Sequence, residues 1–210
     1  MKSPQRRQHL AGQDRQEQII DRAVELFAQK GFALTTRELA SGLQITQPLL
    51  YRYFPSKQML IEKVYERVFF SRWRPEWAQW LADRRQPFRQ RLIHYLTDYT
   101  QAILHNEWVR IFLYAGLQDP ALNQRYLAML HKDVFSVINA ELRHENHADA
   151  PPDARQIMLE TEILWGFHAS FFYMGVRKWV YQLPMPDDLE ALIAERVDAF
   201  LGGVLHPARP

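Results

Sequence analysis

The sequence predicts an all-α protein, a small N-terminal helical domain followed by a larger helical bundle, and three observations lead there. Apolar residues recur at helical spacing nearly throughout the 210 residues, and no run alternates as a strand would. Prolines separate the periodic segments: Pro75, Pro87, Pro120, Pro151–Pro152 and Pro184-Met185-Pro186. Charge divides the same way. Residues 1–70 carry 11 Lys/Arg against 7 Asp/Glu, whereas residues 71–210 carry 15 against 17. A basic first third beside a mildly acidic remainder suggests one part built for a polyanion, with scatter of surface charge as the bland alternative.

Composition narrows the function classes. Cysteine is absent, which removes disulfides, thiol nucleophiles and thiolate metal sites and fits a reducing compartment. The N-terminus, MKSPQRRQHLAGQDRQ, lacks the apolar core of a signal peptide. The longest uncharged apolar-rich run, residues 163–176, falls short of the roughly 20 residues a bilayer span requires. A cytoplasmic protein with no membrane partner is expected.

The first helix is RQEQIIDRAVELFAQKG, with Ile20, Ala23, Val24 and Phe27 on one stripe and Gly31 placed to stop it. Thr35 and Glu38 have capping-box spacing, so a short helix starts there. SGLQI is the turn. Thr46 then caps a third helix, QPLLYRYF, whose Pro48 is tolerated in the first turn. Ser56 caps a fourth, KQMLIEKVYERVFF. Beyond residue 71, helices are expected at 88–105, 107–117, 120–145, 153–181 and 187–203. Residues 1–14 are expected to be a disordered basic tail, free to act as a minor-groove arm or simply unstructured, and HPARP a disordered end.

Three short helices, the second and third joined by a tight turn, are the parts of a helix-turn-helix DNA reader over about residues 36–55. Gln47, Pro48 and Leu49 would face base edges in a major groove. Leu50 and Phe54, four apart, point the other way, toward Phe27, Leu39 and Ile45. Tyr51 and Tyr53 carry hydroxyls at the height of phosphate oxygens, and Lys57 adds a charge in the next helix's first turn. Arg52 is in reach of a base or a phosphate. The bland alternative makes the two tyrosines ordinary surface residues.

Through AVELFAQKGF, TTRELA and QPLLYRYFPSK, within residues 17–68, the chain resembles the TetR family of bacterial transcriptional regulators. The resemblance implies a DNA-binding domain over residues 15–70 and an effector-binding, dimerising helical domain over residues 71–210. It puts Thr36, Tyr51 and Lys57 at phosphate-contacting positions. Arg37, Gln47, Pro48, Leu49, Arg52 and Tyr53 match positions that read bases or lie in the groove, and Thr46 joins this candidate set. Two departures stand out. Gln44 occupies a turn position usually held by Gly, which costs about 1 kcal/mol if the turn is left-handed, with Gly42 as another source of the bend. The loop KGFALTT is one residue shorter than usual.

The implied function is a homodimeric repressor that leaves a near-palindromic operator when a small apolar or aromatic effector binds, with no catalysis and no cofactor. Leu164, Phe167, Phe171 and Met174, with Leu192, Val197 and Phe200, are the candidate dimer interface; internal core is the alternative. All six tryptophans lie beyond residue 70. Trp73, Trp77, Trp80, His94, Tyr95, Tyr99, Trp108, Phe112 and His168 are the candidate effector pocket, and core is again the alternative for any single ring. Two other classes stay open, a helical metal-dependent enzyme and a helical interaction module that binds no DNA. The first rests on Glu141, His144 and His147, a fragment of a di-metal motif without the second pair that such a site needs. No nucleophile elbow, P-loop or Rossmann glycine pattern occurs.

Overall fold

The computed structural model describes residues 4–147 and 150–205, and among them every regular element is helical. In chain order these are α1 (Pro4–Lys30), α2 (Thr36–Gly42), α3 (Gln47–Tyr53), α4 (Lys57–Val68), α5 (Glu76–Ala82), α6 (Phe88–Ile103), α7 (Asn106–Gln118), α8 (Pro120–Leu130), α9 (Ser136–Glu145), α10 (Ala154–Trp179) and α11 (Leu189–Val204). Two compact units result, residues 1–72 with 106–124 and residues 73–105 with 125–210.

In the first unit, α1 begins at Pro4, so the stretch expected as a disordered tail is helical from its fourth residue. Pro4 suits a first turn, and the Gln, Arg and Ala residues after it are good helix formers. Residues 1–3 and HPARP's residues 206–210 lie outside the described residues. Gly31 ends α1 at φ +72°, and its N–H donates to the Phe27 carbonyl at 2.8 Å. A Cβ there would come within 3.0 Å of the Tyr114 ring, so both backbone and packing require glycine. Ile19, Ile20, Ala23, Leu26 and Phe27 are buried with Leu60, Ile61, Val64 and Tyr65 of α4. Each large apolar side chain so buried contributes about 1.5–3 kcal/mol.

Helix α7 belongs to this unit, although the sequence placed it in the C-terminal domain. Its Trp108 meets Phe69 edge-on with ring centroids 4.9 Å apart and stacks on Phe112 at 5.0 Å. Arg110 donates to the Ala28 carbonyl at 2.5 Å and to the Tyr114 hydroxyl at 3.0 Å, closing the carbonyl end of α1. Trp108 is therefore a core ring of the N-terminal unit and the half-buried Phe112 stacks on it there, so neither is a companion of the other pocket candidates.

In the second unit, and outside the expected helix ranges, α5, seven residues long, starts directly after Pro75 and carries Trp77 and Trp80, two of the three tryptophans that share a helical stripe in the sequence. It packs on α6 and α9, and α6 also packs on α10 and α11. The segment expected as one helix over 120–145 is interrupted by a π-helical turn at His131–Phe135. That turn carries Val134 and Phe135, both fully buried. Asp153 and Asp188 cap α10 and α11, accepting from Gln156 N at 2.7 Å and Ala191 N at 2.8 Å.

Burial corrects the interface candidates. Leu164, Phe171, Met174 and Val197 are at most 1% exposed within one chain, so they form the core of the protomer. Phe167 is half-buried and stacks on Phe200 at 4.0 Å, while Leu192 is also half-buried. The helical period selects these residues correctly as one apolar stripe, but a helix with two apolar faces has one more than the core needs. The exposed face of α10 carries Leu159, Ile163 and Tyr173, together with Gly166, where an added Cβ meets nothing within 4 Å.

Glu141 is buried and accepts a forked pair from Arg84, at 3.1 Å from Nε and 2.9 Å from Nη2. Arg91, also buried, donates to it at 2.8 Å. Its carboxylate is thus committed to two guanidinium groups, while His144 and His147 are exposed. Among the described residues no group of three or more His, Cys, Asp or Glu side chains is placed to hold a metal ion. Nor is any described helix long and apolar enough to cross a membrane.

Candidate nucleic-acid interface

Helix α2 is locked at its start by a reciprocal cap. Thr35 Oγ1 accepts from Glu38 N at 3.2 Å, and the Glu38 carboxylate accepts from Thr35 N at 2.8 Å. The Thr35 hydroxyl and backbone bonds hold the Glu38 carboxyl below its usual range. At its other end, Gln44 N donates to the Ser41 carbonyl and Ile45 N to the Ala40 carbonyl, both at 3.0 Å. These two bonds close a Schellman turn, and its left-handed position is Gln44 itself, at φ +58°. Gly42 does not supply the bend. Its missing Cβ makes room for Leu26, whose Cδ2 would lie 2.8 Å from an added methyl group.

The turn delivers the chain to Thr46, whose side chain accepts from Leu49 N at 3.3 Å and starts α3. The cap uses that hydroxyl as an acceptor. Leu50 and Phe54 are buried at 3% and 1% exposure, and they anchor the inner face of α3. The outer face is set by exclusion. Gln47, Pro48, Tyr51 and Arg52 are exposed, and Leu49 and Tyr53 are half-buried. Gln47 Nε2 donates to Thr36 Oγ1 at 3.4 Å, linking the starts of α2 and α3. The Arg52 guanidinium lies over the Tyr53 ring at 5.4 Å.

Lys57, expected to present a free charge, instead donates its ammonium to the Phe32 carbonyl in the loop after α1. Arg37 is exposed on α2. Arg15, Gln18 and Arg22 of α1 line a groove of about 300 Å³ with Leu43, Gln44 and Ile45. These α1 residues escaped the sequence analysis, although their i, i+3, i+7 spacing was the signal available.

The other candidate site divides. Trp77, Tyr95, Tyr99 and His168 form a buried aromatic cluster in the second unit. His168 lies 4.4 Å from Tyr99 by ring centroids and 5.1 Å from Phe135, and its Nε2 pairs with the Tyr95 hydroxyl at 2.8 Å. Burial pushes the His168 imidazole down to about 3, so it is neutral at physiological pH. Trp77 Nε1 donates to Asp98 at 2.7 Å, and Trp73 meets both Trp77 and Tyr126 edge-on. Tyr126, Phe135 and Trp165 join this cluster without having been singled out. Trp80 and His94 lie apart from it, 4.3 Å from each other, lining a surface cleft of about 350 Å³.

The geometry of α2, turn and α3 has a counterpart among known proteins. Residues 19–64 match the family model for bacterial regulatory proteins of the tetR family. This is a TetR-family DNA-binding domain. The match covers the capped α2, the Gln44 turn and α3 with its exposed face. No curated protein matches the chain. Solved structures show the same fold over most of the chain. A TetR family transcriptional regulator from Pseudomonas syringae pv. tomato aligns at TM-score 0.62 and 17% identity, over 89% of this chain and 94% of that one. A putative TetR-family regulator from Mesorhizobium loti aligns at 0.59 and 11%, over 92% and 96%. A tetR-family transcriptional regulator from Streptomyces coelicolor aligns at 0.54 and 22%, over 90% and 80%.

Proposed function

We propose that this TetR-family regulator binds a near-palindromic operator as a homodimer and represses transcription until a small apolar or aromatic effector releases it. The observation that carries the DNA reading is the outer face of α3. Gln47, Pro48, Tyr51 and Arg52 are exposed on a helix whose inner face is pinned by Leu50 and Phe54. A rigidly anchored short helix with a polar, basic outer face is suited to a major groove. Gln47 and Arg52 are assigned to base edges, with Arg37 beside them. Thr36, Tyr51 and Tyr53 are assigned to phosphates, and Lys57 to a phosphate once its bond to Phe32 opens.

One short helix reads few base pairs, which favours a two-fold assembly with reading helices about 34–36 Å apart. The Leu159–Ile163–Gly166–Tyr173 stripe of α10 supports such an assembly better than the buried residues chosen from sequence. For the effector, the Trp77–Tyr95–Tyr99–His168 cluster is the proposed region, and because these rings are packed together with His168 bonded to Tyr95, an aromatic or apolar ligand must part them to enter. Selection of bound duplexes from a random pool tests the DNA reading. Recovery of a two-fold symmetric sequence, bound with a steep salt dependence, supports it. Failure to retain any duplex at low salt rules it out. A true effector must weaken operator binding by the same factor by which operator weakens its own binding, a coupling of about 1–3 kcal/mol.

A further inference from the structure

The first turn of α3 leaves reading to its side chains. Pro48 has no N–H, and the N–H groups of Leu49 and Leu50 go to the Thr46 hydroxyl at 3.3 Å and the Thr46 carbonyl at 3.0 Å. Gln47 is exposed at that end, and its Nε2 donates to Thr36 Oγ1 at 3.4 Å, eleven residues back in the chain. Thr36 is the first residue of α2; it follows the Thr35 cap directly and is half-buried. The terminal torsion of a glutamine is broad and roughly two-fold, so nothing within the side chain itself decides which amide edge faces outward. The hydroxyl of Thr36 decides it. A hydroxyl has one O–H to give and lone pairs to receive. With the O–H given to a phosphate, only the lone pairs are left for Gln47, and the amide must turn its nitrogen toward them.

We infer that Thr36 is a positioning residue that holds the Gln47 amide in the orientation that selects adenine. In that orientation the N–H pointing away from Oε1 serves Thr36, and Oε1 lies beside the second N–H on the outer edge, an acceptor next to a donor. Adenine presents the converse pair in the major groove, its N6 amine as donor and N7 as acceptor. Guanine presents acceptors at both O6 and N7, and one of them would meet the lone pairs of Oε1. A single hydroxyl thereby joins the phosphate contact to the choice of base. The inference rests on the DNA reading proposed above and commits that reading to one base.

Selection of bound duplexes from a random pool, run in parallel on the full chain and its variants, tests it. The position whose base preference is lost in Gln47→Ala is the one that Gln47 reads. In the natural chain that position should be adenine, preferred to guanine by about tenfold or more in direct titration. Thr36→Val keeps the shape of the side chain and removes the hydroxyl. It should weaken binding to every duplex, since a phosphate contact is lost, and also cut the adenine-over-guanine ratio to about threefold or less. Thr36→Ala should do the same, so the outcome does not hang on one variant. Thr36→Ser restores the hydroxyl and should keep the natural ratio. The ratio decides, because loss of a phosphate contact alone weakens all sequences alike. If the natural chain retains no duplex, the DNA reading falls and this inference with it. If it selects a symmetric operator but Gln47→Ala alters no position, or the altered position is not adenine, or Thr36→Val and Thr36→Ala keep the natural ratio, the DNA reading stands and the role of Thr36 is overturned.

Discussion

Replacing Glu141 with glutamine is expected to destabilise the second unit by about 3 kcal/mol at neutral pH. The substitution keeps the shape of the side chain and removes its charge. Arg91, whose side chain is 3% exposed, then faces no carboxylate nearer than Glu145 at 3.8 Å. Breaking a buried ion pair from one side costs about 3–5 kcal/mol. The lower end applies here, because the Leu81 and Gln86 carbonyls still accept from Arg91, and Arg84 is free to turn to solvent. Burial raises the proton affinity of Glu141, but the bonds from Arg84 and Arg91 outweigh it and leave the carboxyl below its usual range. A depressed carboxyl contributes stability that is fully present above the unfolded value of about 4.3 and is lost as pH falls through the folded one. The difference between natural chain and variant should therefore shrink below about pH 4. Urea unfolding followed by tryptophan emission, at pH 7 and at successive steps downward, measures both effects. The double change Arg91→Met with Glu141→Leu, which removes both charges, should lose less than Glu141→Gln alone. A single variant within about 1 kcal/mol of the natural chain at pH 7 would refute the assignment of a buried, structural ion pair.

Three further outcomes are expected. Gln44→Gly relieves the left-handed strain of the turn and should raise the stability of the first unit by about 0.5–1 kcal/mol, seen as a higher melting temperature; a fall would mean the Gln side chain holds the turn by contacts of its own. Gln47→Ala should lose about 1–3 kcal/mol of specific operator affinity with an unchanged salt slope, while Lys57→Ala should weaken specific and non-specific DNA alike. Loss of affinity in both with identical slopes and unchanged specificity would void these roles. Gly166→Trp adds bulk where the protomer has open space, so it should give folded monomers by sedimentation. Phe171→Asp should instead unfold the second unit, because that side chain is fully buried. A dimeric Gly166→Trp would move the interface elsewhere.

Local interactions were legible in the sequence because they depend on residues a few positions apart. The Thr35–Glu38 cap, the Thr46 and Ser56 caps, the Gly31 stop and the outward set of α3 all follow from spacing and side-chain chemistry, while the TetR reading rests on the resemblance of motifs within residues 17–68, of which residues 19–64 match the family model. Periodicity also found both long C-terminal helices to within about two residues at each end. What it left undetermined was which apolar stripe faces inward. Leu164, Phe171 and Met174 carry the same pattern as an interface would, and only the placement of α6 and α11 decides that they are core. Long-range pairing was equally invisible. Trp108 and Phe112 join the first unit through Phe69, about forty residues away in sequence, and Glu141 is claimed by Arg84 and Arg91 rather than by a metal motif. Lys57 reads in sequence as a charged contact for DNA, yet its ammonium donates a hydrogen bond to a carbonyl 25 residues earlier. A cap is closed within one turn of helix and needs nothing else; a buried face, an ion pair and a cavity exist only once distant segments have met.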